Sequence, residues 1–160
     1  MKPHLWFVLG AWMAALGVVN GAFAAHGLRD HLPARYMSLP FDDPDMDLGS
    51  LLEKRYGDYD TGVRYHMYHA IGLMLLGLVA TRKPSRWWNV AGFGMFLGII
   101  LFSAMLYALV LTNRTMLGAI VPIGGVASII GWIAMGCGCL GGFDRSTMPT
   151  TPTPAEAPAA

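Results

Sequence analysis

The chain has 160 residues, of which 54% are hydrophobic and 13% are charged, and its net charge is +1. One domain fits this length, but a soluble domain of this size could not bury so much apolar surface, and soluble proteins carry about 25% charged residues. A lipid-facing exterior removes this difficulty, and the near-neutral charge, without a dense basic cluster, excludes nucleic acid as a partner.

Residues 5–26 form the first predicted membrane helix. The 21 residues from Leu5 to Ala25 carry no charge, and a bilayer core needs about 20 residues at 1.5 Å rise each. Gly17 and Gly21 belong to a four-residue spacing of small residues that is typical of closely packed membrane helices. A signal peptide cleaved after an A-x-A sequence at residues 22–24 is the alternative. The length of the apolar run favours a retained helix.

Residues 27–63 form one long polar segment, which we predict to be a loop between the first two helices. Four aspartates and two prolines make residues 40–47 irregular and acidic. This acidic run lacks the frame of an EF-hand, so a solvated loop is favoured over a calcium site. From about Ser50 the pattern is that of an amphipathic helix, which would lie along the membrane interface.

Three further membrane helices are predicted over residues 64–81, 89–111 and 116–141. Ser103 and Tyr107 are four residues apart, so they share one face of the third helix. The fourth helix is interrupted near its start by residues that weaken helices, namely Pro122, Gly124 and Gly125. We expect either a kink there or a first turn outside the bilayer. Residues 146–160 are rich in Pro, Thr and Ala, and we predict a disordered tail.

A cluster of polar residues marks the start of the second helix. His66 and His69 are three residues apart and lie on one helical face, and His26 ends the first helix on the same side of the membrane. Asn20 should face the bundle, because an unpaired amide in hydrocarbon is costly. The candidate polar site therefore comprises Asn20, His26, Arg64, Tyr65, His66 and His69.

Several functions suit these residues. One hypothesis is that they fix the bundle through hydrogen bonds, and the alternative is that they bind a small solute, a proton or a lipid headgroup. A metal or haem on His66 and His69 is the weakest hypothesis, because no acidic residue adjoins the pair and no haem-attachment motif occurs. We therefore predict no metal and no cofactor.

Four segments resemble the small bacterial membrane proteins known as domain of unknown function 423. Residues 21–28 read GAFAAHGL, similar to GAFGAHGL in that family, and residues 61–70 resemble TAVRYQMYHA. Residues 98–107 resemble GILLFSGSLY, and residues 122–132 resemble PIGG followed by GW. The family is similar in outline to transmembrane protein 256. His66 stands where glutamine is common, which argues against a metal site shared by the family. The resemblance implies four helices and a bacterial inner-membrane location, without implying a reaction.

We accordingly predict an all-α, integral membrane four-helix bundle with one long polar loop between helices 1 and 2. No catalytic constellation is visible, so we expect a structural or accessory protein rather than an enzyme. Its partners would be the lipid bilayer and either further copies of the chain, packed through glycine stripes, or a larger membrane complex. The compact basic segment at residues 82–86 favours cytoplasmic termini.

Overall fold

The computed structural model describes residues 1–38, 47–81 and 85–140, and nearly all of these residues are helical. No strand occurs within these three ranges, so the predicted all-α class is confirmed. The described residues form four helices, which are α1 (Pro3–Tyr36), α2 (Leu48–Val79), α3 (Trp87–Thr112) and α4 (Thr115–Leu140).

Two of these helices contain a π-helical segment. In α1 it covers Phe23–Gly27, and in α3 it covers Ile99–Ala104. Each segment lies inside a sequence motif described above, at residues 21–28 and 98–107. A π segment adds a residue to a helical turn and so rotates the face that the following residues present. The motifs therefore coincide with the places where the two helices change the direction of their buried faces.

Helix α1 runs antiparallel to α2 along most of its membrane length. Along this interface Phe7 lies against Gly77, Gly10 against Ala70, and Gly21 against Val63. A Cβ atom at Gly10 would stand 2.7 Å from the backbone oxygen of Ala70. The glycine therefore permits an approach between the two backbones that any side chain would prevent.

Helices α3 and α4 form a second antiparallel pair, with Trp88 against Gly138 and Gly94 against Gly131. A Cβ atom at Gly94 would stand 2.7 Å from the Cα atom of Gly131. Helix α2 connects the two pairs, because its Gly62 faces Tyr107 on α3. Every other helix thus contacts α2, which is the central helix of the bundle.

The core has two parts. The larger lies between the apolar halves of the four helices, and its fully enclosed side chains include Trp6, Leu73, Leu76 and Met95. The smaller lies at the other end, where Leu28, Leu32 and Tyr36 of α1 pack on Tyr59 of α2 and on Val110 of α3. The second cluster gives the end of α1 and the start of α2 an apolar surface to fold against.

The predicted long polar loop is wrong over most of its length. Residues 28–36 continue α1, and residues 48–63 belong to α2, which begins at Leu48 rather than at about residue 64. The helical pattern predicted from about Ser50 is confirmed, but this segment is continuous with the second helix. The physical reason is the smaller core cluster, which buries one face of both segments and so repays the cost of ordering them. The aspartates at 42, 43 and 45 lie outside the described residues.

An aspartate caps the start of α2. The Asp47 carboxylate accepts hydrogen bonds from the Ser50 hydroxyl at 2.7 Å and from the backbone N–H groups of Gly49 at 2.8 Å and Ser50 at 3.1 Å. The hydrogen bond from the Ser50 side chain, followed by those from the backbone, lowers the pKa of the Asp47 carboxyl below its usual value. This residue, assigned to the acidic loop from sequence, is therefore the N-cap of the central helix.

Three helices are long and apolar enough to cross a membrane by length and composition, namely α1, α3 and α4. Helix α2 is not among these three helices, because its apolar half follows a charged half. Its antiparallel contacts with α1 nevertheless extend from Val63 to Gly77, alongside the apolar length of α1.

The start of α4 differs from the predicted interruption. A short 3₁₀ segment over Thr115–Ala119 precedes a regular α-helix over Val121–Leu140. Pro122 is the second residue of that α-helix, where a proline leaves no internal hydrogen bond unmade. It therefore helps to start the helix and does not break it. The predicted tail at residues 146–160 lies outside the described residues.

Candidate functional site

The six residues of the predicted polar site face three different surroundings. His26 is exposed on the π segment of α1. Arg64 is also exposed and forms an ion pair with Asp60, one turn earlier on α2. Asn20 on α1 contacts Tyr59, and His66 on α2 contacts Tyr107, both in the interior of the bundle. Tyr65 and His69 line a groove between α2, α3 and α4. The structure therefore divides the cluster between two interior regions and the outer surface.

The first interior region is a closed polar interface formed by Asn20, Tyr59, His66 and Tyr107. The Tyr59 hydroxyl donates to Asn20 Oδ1 at 2.8 Å, and the Asn20 amide nitrogen donates to the backbone oxygen of Leu16 at 2.9 Å. His66 Nδ1 lies 3.3 Å from the Tyr107 hydroxyl. The Tyr59 and Tyr107 rings pack with their centroids 4.7 Å apart. These contacts connect α1, α2 and α3 within the bundle.

His66 fills the middle of this closed polar interface and is 4% exposed. Its Nε2 atom is enclosed beside the Met13 backbone of α1 and has no hydrogen bond of normal geometry. The ring thus contacts α1 with one edge and Tyr107 of α3 with the other. This position, enclosed by neighbouring helices, suits a residue that fixes the helix arrangement better than one that meets a solute.

A polar junction at the end of the bundle was missed in the sequence. Arg55 is only 5% exposed, and its guanidinium donates to Asn113 Oδ1 at 2.9 Å and pairs with Asp58 at 3.5 Å. Asn113 ends α3 with φ +54°, a left-handed conformation that asparagine tolerates. Nearby, the Tyr36 hydroxyl donates to the Val110 backbone oxygen at 2.7 Å.

The sequence did contain a signal for this junction. Arg55, Tyr59, Gly62, His66 and Leu73 are all buried and recur at three-, four- or seven-residue intervals along α2. This continuous stripe predicts that one buried helix face extends through the charged segment into the apolar one. The predicted boundary at residue 64, between an interfacial amphipathic helix and the second membrane helix, divides this stripe, whereas α2 is continuous through it.

The second interior region is a lateral groove of about 600 Å³ between α2, α3 and α4. Its volume is in the usual range for small-molecule sites. The groove is open on one side, because several of its lining residues are exposed on the outer surface of the bundle. It is lined by Tyr65, Tyr68, His69, Ile71, Phe102, Gly125, Ser128, Ile129 and Trp132.

His69 forms the deepest polar part of the lateral groove and is 3% exposed. Its ring stacks on Tyr65 with centroids 6.1 Å apart and lies 6.3 Å from the Trp132 ring. Nδ1 is enclosed near the Tyr65 backbone without a hydrogen bond of normal geometry. Nε2 is not among the enclosed atoms, and we therefore take it as the nitrogen that faces the groove.

The remaining residues singled out in the sequence lie at helix contacts. A Cβ atom at Gly17 would meet the Met67 side chain, and one at Gly124 would collide with the Phe102 backbone nitrogen. A Cβ atom at Gly125 would be 3.9 Å from the Phe102 ring, which is ordinary contact.

Ser103, in the π segment of α3, is fully buried, and its hydroxyl has no hydrogen-bond partner. Within the described ranges, no group of three or more His, Cys, Asp or Glu residues suits a metal ion.

Comparison with known proteins gives a consistent result. The family described as "Protein of unknown function (DUF423)" matches residues 20–125. The UPF0382 membrane protein YwdK of Bacillus subtilis is 43% identical over 131 residues, covering 81% of this chain and 90% of that protein. A UPF0382 membrane protein of Staphylococcus epidermidis is 39% identical, covering 82% of this chain and 91% of its own length. No solved structure matches the chain.

Proposed function

Because the chain belongs to the DUF423 family of bacterial membrane proteins, we propose that it is a non-enzymatic structural or accessory component of the bacterial inner membrane. The observation that carries this proposal is the use of its interior polar side chains. Asn20, Tyr59, His66 and Tyr107 contact one another between helices, and Arg55 contacts Asn113. Polar groups committed in this way stabilise one arrangement of helices.

The same contacts argue against passage of a solute or proton through the predicted cluster. His26 and Arg64 are exposed, whereas His66 and His69 face different interior regions. A relay or binding site formed by all four residues would require them to line one shared path. The proposed structural role needs no such path.

We propose that all four helices cross the bilayer and that both termini are cytoplasmic. Helix α2 accompanies α1 from Gly77 to Val63, so a bilayer that encloses α1 also encloses this part of α2. The apolar part of α2 is short, but Arg64 at its end can reach the interface. Cytoplasmic termini place the basic residues at 82, 83 and 86 on the cytoplasmic side.

Reporter fusions test this topology. Green fluorescent protein fused to either terminus should fluoresce, and alkaline phosphatase inserted after residue 45 should be active in the periplasm. A dark carboxy-terminal fusion beside a fluorescent amino-terminal one would indicate three spans and overturn the four-span topology. Two dark terminal fusions would reverse the proposed orientation.

The accessory role requires a surface for other membrane proteins or further copies. The glycines of the predicted stripe are occupied within the chain, since Gly17 lies against Met67 and Gly21 against Val63, both on α2. A partner would therefore use the outer surface of the bundle, where α1 and α4 are among the helices that expose large apolar residues. These include Val8, Trp12, Val19, Ile130 and Ile133.

The oligomeric state in native membranes tests this accessory role. Membrane patches extracted with a styrene–maleic acid polymer and weighed by native mass spectrometry should contain more than one polypeptide of fixed stoichiometry. Trp12→Ala on α1 and Ile133→Ala on α4 should identify the outer face involved by weakening the assembly. A uniform population of single chains without a companion protein would overturn the proposal.

A further inference from the structure

The lateral groove contains a histidine whose ring makes no hydrogen bond of normal geometry within the fold. His69 is nearly fully buried, and its Nδ1 atom, enclosed near the Tyr65 backbone, has no hydrogen bond of normal geometry. Its Nε2 atom faces the groove and has no hydrogen bond to a described residue. A buried polar group without a partner is costly, so it points to a role outside folding. The groove beside it has about 600 Å³ of free volume, enough for a small molecule to bring that partner.

The walls of the groove favour a planar ring. Tyr65 packs on Phe102 with centroids 5.0 Å apart, and it stacks on His69 at 6.1 Å. The Trp132 ring also lies beside His69, with centroids 6.3 Å apart. Aromatic side chains around a polar group suit a flat, conjugated ligand that can stack on them while its polar edge meets the histidine.

The groove also selects against charge. None of its nine lining residues is Asp, Glu, Lys or Arg, and the nearest arginine in sequence, Arg64, is exposed and paired with Asp60. A phospholipid headgroup would leave its charges without partners here, which is unfavourable in a low-dielectric site. The polar part of the ligand should therefore be uncharged.

The open side of the groove indicates how such a ligand would enter. Tyr68, Ile71 and Ile129 line the groove and are also exposed on the outer surface of the bundle. In a membrane this surface meets lipid chains. A ligand with an apolar tail could therefore leave the tail in the bilayer and place only its ring beside His69.

We propose that the lateral groove binds the ring of a membrane-soluble quinone, with His69 Nε2 donating a hydrogen bond to a ring carbonyl. Nδ1 lies near the Tyr65 backbone without a hydrogen bond of normal geometry, and Nε2 has no hydrogen bond to a described residue, so the tautomer with its proton on Nε2 is available. An isoprenoid quinone combines an uncharged planar ring, carbonyl acceptors and an apolar tail. This binding site does not depend on the structural function proposed above, and either proposal can fail alone.

Titration of the purified full chain in lipid nanodiscs with decylubiquinone tests the site. Trp132 lines the groove, so quenching of tryptophan fluorescence should saturate, and the bound quinone should raise the thermal unfolding temperature. His69→Phe removes the donor but keeps a ring, and it should weaken binding roughly five- to tenfold. Gly125→Leu should weaken binding by filling the groove without touching His69.

Matched controls separate this site from partitioning of the quinone into lipid. His4→Phe makes the same substitution at an exposed histidine outside the groove, and it should leave the affinity unchanged. Decanol has the same tail length but no ring, and it should not compete with decylubiquinone. Equal affinity for wild type, His69→Phe and Gly125→Leu would overturn the proposal. Competition by decanol that is as strong as competition by a quinone would also overturn the proposal, because the groove would then bind apolar tails and not the ring.

Discussion

His66 and His69 are three residues apart on the same helix, yet they occupy opposite kinds of environment. His66 belongs to the closed polar interface, where Tyr107 lies 3.3 Å from its Nδ1 atom. His69 lines the lateral groove, and its Nδ1 atom lacks a hydrogen-bond partner of normal geometry. Helix α2 is surrounded by three other helices, so a rotation of about 60° between two side chains is enough to change their neighbours. Residue type alone therefore does not identify the functional histidine.

The largest change in the free energy of unfolding is expected at one of two adjacent glycines on α4, and a much smaller change at the other. Gly124→Ala should lower the free energy of unfolding by about 1–3 kcal/mol, because the new Cβ atom would collide with the Phe102 backbone nitrogen. Gly125→Ala, beside the groove, should change it by less than about 0.5 kcal/mol. Equilibrium unfolding in mixed micelles measures both. Equal losses would mean that the groove side is as tightly packed as the closed side.

A smaller effect is expected from the hydrogen bond between Tyr59 and Asn20, which is 2.8 Å long. Tyr59→Phe and Asn20→Leu should each cost about 1 kcal/mol, because each leaves the other polar group without its partner. The double variant should cost less than the sum of the single variants. Tyr56→Phe provides a control on the same helix. Strict additivity would show that the two residues are not energetically coupled.

The two histidines should respond differently to the same substitution. His66→Phe should lower the free energy of unfolding by about 1 kcal/mol, because it removes the partner of the Tyr107 hydroxyl. His69→Phe should change it by less than about 0.5 kcal/mol, or raise it, because the enclosed Nδ1 atom that it removes has no hydrogen-bond partner of normal geometry. Unfolding without added ligand measures the difference. A large loss at His69 would place that residue among the structural contacts.

The smallest expected effect is on the pH dependence of stability, through the N-cap of α2, which lies outside both regions. Hydrogen bonds in the folded state lower the pKa of the Asp47 carboxyl, so its contribution to stability is present above the unfolded pKa of about 3.9. It is lost as the pH falls through the folded pKa. Asp47→Asn keeps a capping acceptor without titrating there, and its stability should vary less between pH 6 and pH 3. Identical profiles for the two proteins would show that the cap is not formed.

Much of the architecture could be predicted from the sequence. Charge-free runs of membrane length and the ordered motifs indicated four helices, and helices α3 and α4 lie near the predicted residues 89–111 and 116–141. The extent of α2 was predicted only in part, because a helix was expected from about Ser50 but not its continuity with the membrane helix. Its charged half is helical because Arg55 donates to Asn113, 58 residues later in the chain, and because the smaller core cluster buries Tyr59.

The sequence by itself determined the membrane character, the helical class and the family of this chain, because these depend on composition, local periodicity and motif order. The tertiary structure decided which polar residues share an environment. Asn20, Tyr59, His66 and Tyr107 come from three helices, and their convergence depends on glycine contacts and π segments that set how the helices rotate against one another. Such rotations are fixed by packing between distant segments, which no local pattern records.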